Sequence, residues 1–190
     1  YCYEKVTGLM APKRLYIAEK ILIGPTLKET TEMILGKNLL HLTNDFMNQF
    51  VSEYDNKIIL ETKPYENIND LLRELRGRGD FIAIATNKRS YPTNKLIKCY
   101  KWEKQFLWVA CLDKFPSASN KAEMVQDVIK AGGKHSSIFF IGDTKNDAVA
   151  AKYNNIPFIK ANYGYGKDEN WNDFEIYKSI DNAKDILDIK

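Results

Sequence analysis

The sequence predicts an α/β fold: a parallel sheet with helices on both faces, preceded by an all-helical segment. Three observations carry this. Short apolar runs alternate with helical patterns after Lys63-Pro64. Those runs are continuous instead of alternating with polar residues, as expected of strands covered on two faces. Before that point only helical spacing is found.

The elements follow in order. Gly24-Pro25 is a turn, and Leu27–Leu35 is a helix that stops at Gly36. Leu39, Leu42, Phe46, Met47, Phe50, Val51 and Tyr54 recur at spacings of three and four, which lays one apolar stripe along a longer helix. Past Lys63-Pro64, Ile68, Leu71, Leu72 and Leu75 form a helix face that closes at Gly77 and Gly79. Phe81–Ala85 (FIAIA) is the first strand and Phe106–Ala110 (FLWVA) the second. Ala122, Val125, Val128 and Ile129 make the next helix face, ending at Gly132-Gly133. Ile138–Ile141 (IFFI) is a third strand, Ala148–Tyr153 a helix and Ile156–Ile159 a fourth strand. The chain thus reads as a helical domain over 1–62 and an α/β core over 63–190.

Composition bounds the function. With 190 residues and 44% hydrophobic content, the chain can bury one sizeable core, or one core and a small accessory domain. A net charge of +3, with both signs mixed along the chain, argues against nucleic acid as a partner. No apolar run approaches a membrane span, and no signal-peptide pattern opens the chain. Cys2, Cys99 and Cys111 fall into no metal or CxxC spacing, so they read as reduced thiols of a cytoplasmic protein. His41 and His135 have no partner spacing, and Trp102, Trp108 and Trp171 read as packing residues. The chain opens on Tyr1, not Met, which suggests that the gene product is longer.

In parallel sheets the ligand site lies beyond the carboxyl ends of the strands. Thr86 and Asn87 follow FIAIA directly, and Asp143 follows IFFI-Gly142, with Asp147 four residues on. Gly142 permits a sharp turn there, so both carboxylates face one crevice and can hold Mg²⁺, a cation suited to oxygen ligands. Lys121 opens the helix after the loop Lys114–Asn120, where it can neutralise phosphate charge. The Thr86 hydroxyl and neighbouring amides suit phosphate oxygens. Singly, Asp143 could be a helix N-cap, Thr86 a turn residue and Lys121 solvated surface. Their order and shared placement point instead to a phosphate-handling site.

Several segments resemble the haloacid dehalogenase superfamily, in particular its phosphoglycolate-phosphatase-like members with a helical cap. They are IAIATNK (Ile82–Lys88), SNKAEMV (Ser119–Val125) and FFIGDTKNDAVAA (Phe139–Ala151), with IGPTL (Ile23–Leu27) and the GYG of Gly164–Gly166. The resemblance implies a Rossmann-like core with a cap of the C1 type over 1–62. It implies a Mg²⁺-dependent phosphatase acting on a small phosphorylated metabolite, as a monomer or homodimer. Thr86, Asn87 and Lys121 would then bind the phosphate, Lys121 and Thr86 serving catalysis, with Asp143 and Asp147 as metal residues. Lys13, Arg14 and Lys20 would lie on the cap, where a solvated helix face competes with a role in substrate binding.

One family motif is missing. The superfamily's nucleophile and its acid/base sit in an Asp-x-Asp at the end of a first strand, and this chain contains no such pair. Its first aspartates, Asp45 and Asp55, follow no apolar strand. In the family that strand lies between those matching FIAIA and IFFI. Its loss would leave buried backbone groups unpaired at about 1–3 kcal/mol each. The expectation is therefore that the strand precedes Tyr1. The alternatives are a catalytically inactive remnant that binds a ligand, and a phosphomutase; a dehalogenase would leave the acidic pair idle.

Overall fold

A computed structural model describes the chain except for Leu22, residues 116–119 and 133–136, and Lys190. The expectations for Ser119, Gly133 and His135 fall outside the described residues. The chain divides into two compact units, Tyr1–Lys63 and Pro64–Lys190.

The first unit is helical: α1 (Cys2–Met10), α2 (Leu15–Ala18), α3 (Leu27–Leu35) and α4 (Thr43–Glu53). A capping box starts α3, with Thr26 Oγ1 accepting the Glu29 N–H at 3.2 Å and the Glu29 carboxylate accepting the Thr26 N–H at 2.8 Å. Gly36 ends α3 at φ +65°, and a Cβ there would lie 2.7 Å from the Arg14 guanidinium. That guanidinium donates to Ile34 O, and the positive φ is what calls for glycine. Val6, Ile34, Leu35 and Phe46 are the buried centre. The helix expected over Leu39–Tyr54 is a 3₁₀ segment (Lys37–Leu42), then α4, then a π turn (Tyr54–Ile58). The stripe survives the change: Leu39, Leu42, Phe50 and Tyr54 still pack on that centre. Apolar spacing of three and four fixes the buried face and leaves the width of individual turns open.

The second unit alternates helices and strands: α5 (Ile68–Arg78), β1 (Ala83–Thr86), α6 (Ser90–Cys99), β2 (Trp108–Cys111), α7 (Lys121–Gly132), β3 (Phe140–Gly142), α8 (Lys145–Tyr153), β4 (Phe158–Ala161) and β5 (Lys178–Ile180). Every pairing is parallel, as expected. The sheet is interrupted where a central strand was expected to be missing. Among the described residues β1 pairs with β2, and β3–β4–β5 form a separate sheet. Strand β5 lies outside the sequence expectation because Lys178 interrupts the alternation of Phe174, Ile176 and Ile180.

Helix α7 joins the two sheets. Ala122 and Val125 pack with Ala150 of α8 in one cluster, against Ala85 of β1 and Phe140 of β3. Between β1 and β3 runs an apolar groove of about 690 Å³, lined by Ala83, Ala85, Val125, Ile129, Phe140 and Ile141 among others. The groove explains a difference from expectation. FIAIA and IFFI were to be covered on both faces, yet Phe81 is 38% and Ile141 41% exposed. Each strand pairs on one side only, and side chains directed at the groove stay accessible.

Candidate active site

The site grows from the turn after β3. Gly142 is required there, since a Cβ would fall 2.3 Å from the Asp147 Cβ. Asp147 lies in the first turn of α8 and folds back under that turn. Its Oδ2 accepts from Thr144 N (3.0 Å), Thr144 Oγ1 (2.7 Å) and Asp143 N (3.2 Å). Its Oδ1 accepts from Lys121 Nζ at 2.7 Å. The two charged side chains are 13% and 8% exposed for Lys121 and Asp147. A buried ion pair persists only when its remaining polar capacity is satisfied, and this carboxylate has four donors. Asn154 Nδ2 donates to Ala122 O at 2.9 Å and ties α8 to the start of α7, which sets where Lys121 begins.

Asp143 is placed differently. Its Oδ2 accepts the Tyr165 N–H at 2.6 Å, while among the described residues no hydrogen bond reaches Oδ1. Burial holds its carboxyl above the usual range; the Tyr165 bond opposes this, the Asp147 charge adds to it and Lys121 lowers it. Tyr65 and Tyr163 meet edge to face at 5.0 Å beside it. Burial is the chief reason that the Tyr65 hydroxyl is pushed up to about 12, with the charge of Asp143 contributing. The same causes raise Tyr163. Asp143 therefore faces a neutral aromatic wall.

Thr86 ends β1, and its Oγ1 accepts the Lys88 N–H at 3.1 Å. It comes to the same edge as Lys121 because Ala85 packs on Ala122 and Val125. Asn87, half-buried, follows it in the turn toward α6. That turn is secured by Asp113, which accepts the Ser90 N–H at 2.9 Å and the Ser90 hydroxyl at 2.8 Å. The structure thus gathers Lys121, Asp143 and Asp147 into one network, with Thr86 and Asn87 at the end of the neighbouring strand.

The expected metal pair separates into two roles. Asp147 holds Lys121 and the Asp143 backbone, so a bond from it to a cation would displace one of these partners. Asp143 Oδ1 is the open oxygen. Among the described residues no group of three or more His, Cys, Asp or Glu could hold a metal. Mg²⁺ sites commonly use one or two carboxylates, with waters and phosphate oxygens completing the shell. A half-buried, open carboxylate beside a second negative charge fits such a site. Asp113 and the Tyr165 N–H were missed in sequence. Asp113 had no helix to cap there, since α6 was not anticipated, and a backbone donor leaves no trace in residue type.

Comparison with known proteins gives the family. The family model for haloacid dehalogenase-like hydrolases matches residues 8–161. A phosphoglycolate phosphatase of Agrobacterium fabrum is 29% identical over 118 residues, which is 62% of this chain and 51% of that protein. A phosphoglycolate phosphatase of Caulobacter vibrioides is 27% identical over 120 residues, 63% of this chain and 51% of that protein. The chain therefore spans about half the length of these curated relatives. A solved haloacid dehalogenase-like family hydrolase from Streptococcus pneumoniae superposes with a TM-score of 0.81 at 19% identity, covering 98% of this chain and 87% of that one. No described helix is long and apolar enough to cross a membrane. With the family match running through most of its length, this chain belongs to the haloacid dehalogenase-like hydrolases.

Proposed function

We propose that the chain works in a Mg²⁺-dependent phosphoric monoester hydrolase of the phosphoglycolate-phosphatase type, acting on a small phosphorylated metabolite in the cytoplasm. The observation that carries this is the Lys121–Asp147 ion pair beside the open oxygen of Asp143, at the carboxyl edge of a parallel sheet. Lys121, oriented by Asp147, neutralises phosphate charge. Thr86 and Asn87 offer polar groups to the phosphate oxygens. Asp143 holds the cation, which when bound neutralises charge on the phosphoryl group.

A nucleophilic carboxylate is still needed. An apolar strand ending in Asp-x-Asp, lying in the groove between β1 and β3, would pair with both sheets and bring it to this edge. Its first aspartate attacks phosphorus as the ester oxygen leaves; the second gives that oxygen a proton, then takes one from the water that releases phosphate. Unit Tyr1–Lys63 takes the part of a cap that selects substrate.

The test uses protein expressed from the whole reading frame, with p-nitrophenyl phosphate and with 2-phosphoglycolate. Hydrolysis should require Mg²⁺, and Asp143→Asn or Lys121→Ala should lower kcat by about 10²-fold or more, as when one charge-stabilising group is removed. Absence of hydrolysis, or full activity in Asp143→Asn, would overturn the reading. Ligand binding without turnover would favour a binding protein, and phosphate returned to a sugar would favour a mutase.

A further inference from the structure

The segment Gly164–Tyr165–Gly166 wraps the carboxylate corner more closely than its exposed tyrosine suggests. A Cβ on Gly164 would lie 2.1 Å from Asp143 Cβ and Oδ2, and one on Gly166 would lie 2.2 Å from Asp143 O. Neither position admits a side chain while Asp143 stays where it is. Between them, the Tyr165 N–H donates to Asp143 Oδ2 at 2.6 Å, and the Gly166 N–H donates to Asp143 O at 3.1 Å. This loop therefore grips Asp143 at both its carbonyl and its carboxylate, using main-chain groups alone.

The grip is itself braced. Trp171 Nε1 donates to Gly166 O at 2.8 Å. The indole stacks on Phe158 of β4 at 5.9 Å, and Lys160 Nζ lies 4.9 Å above its ring. Phe158 is in register with Phe140 of β3, the strand that delivers Asp143. Glu169, half-buried beside the loop, pairs with Lys145 in the first turn of α8 at 3.5 Å. The loop is thus anchored to α8, which carries Asp147, and to β4, the strand paired with the one that delivers Asp143.

The geometry points to Gly164–Tyr165–Gly166, backed by the Trp171 indole N–H, as a positioning loop that fixes the Asp143 carboxylate with Oδ2 engaged and Oδ1 presented to a divalent cation. This rests on the reading that Asp143 binds the metal. A carboxylate with one oxygen held by a fixed donor needs no reorientation when the ion arrives. The Tyr165 side chain, 63% exposed, takes no part; only its amide does.

The test is Mn²⁺ binding followed by electron paramagnetic resonance, with the Tyr165 amide resonance followed in parallel by ¹⁵N–¹H correlation spectra. Gly164→Ala should weaken Mn²⁺ about tenfold or more, the range for groups that orient a metal ligand. Trp171→Phe keeps the ring and removes only the indole N–H; it should weaken Mn²⁺ measurably and shift the Tyr165 amide. Tyr165→Ala should bind like the parent. If Gly164→Ala fails to fold, Trp171→Phe decides. Parent-like Mn²⁺ affinity and an unmoved Tyr165 amide in folded Trp171→Phe would overturn the proposal. If the parent itself binds no Mn²⁺, the metal reading fails separately. The grip is then judged by Asp143→Asn, which must shift the Tyr165 amide upfield, and an unshifted amide would refute it.

Discussion

Asp147 commits both carboxylate oxygens to the fold, and that commitment sets what its loss would do. Asp147→Ala leaves the Lys121 charge 13% exposed without its partner, and strands three donors from Asp143 and Thr144. Breaking a buried pair in this way costs about 3–5 kcal/mol. Adding Lys121→Met to Asp147→Ala removes the uncompensated charge and should restore part of the loss, as denaturant melts of the three variants would report. A loss under about 0.5 kcal/mol for Asp147→Ala would show that the pair is not what holds this corner. The sequence expectation gives Asp143 and Asp147 both to the metal site, with Asp147 in support of Asp143. Their spacing brings both to one turn, but spacing is blind to which carboxylate meets Lys121 and which stays open. The cysteines carry a second residue-scale expectation. Burial first, then Glu53, pushes the Cys2 thiol from 9.0 up to about 11, and burial also raises Cys111, whereas Cys99 is exposed. Folded Cys2 binds its proton more tightly than the unfolded chain does, so stability should fall as pH rises from about 9 through about 11. Near neutral pH, iodoacetamide should label Cys99 quickly and the buried pair only after denaturation; equal rates for all three would contradict the packing.

The elements were legible to the extent that they have their own periodicity. Helices α3, α5, α7 and α8 and strands β1 to β4 fall where apolar spacing put them, with ends displaced by a few residues. What could not be read was the space left beside the strands. FIAIA and IFFI each announce a buried strand, yet nothing in either run says that a groove of about 690 Å³ lies between them. Two strands that each pair on one side, above an apolar lining, form a surface that binds apolar dyes. The 190-residue chain should therefore enhance anilinonaphthalene sulfonate fluorescence at neutral pH while melting cooperatively. Ile141→Glu should lower that signal with little change in melting temperature, because Ile141 is already 41% exposed. A chain that leaves the dye dark would show that the groove is closed in solution.

At the scale of the whole molecule, the chain is two units, Tyr1–Lys63 and Pro64–Lys190, and it matches about half the length of its curated relatives. The change from purely helical spacing to alternating helices and strands near Lys63-Pro64 was readable because the two patterns differ in period. The absence of Asp-x-Asp was readable too, and with it the expectation of a missing strand between FIAIA and IFFI; among the described residues the split between β1 and β3 falls at that place. On the proposed function, Asp143, Asp147 and Lys121 support the phosphoryl group, and none of them accepts it. The direct measurement is acid-quenched trapping of the phosphoenzyme in protein made from the whole reading frame, with the modified aspartate located by mass spectrometry. The phosphoryl group is expected on the first aspartate of an Asp-x-Asp segment outside residues 1–190. Phosphoryl found on Asp143, Asp147 or any other aspartate of these 190 residues would contradict it.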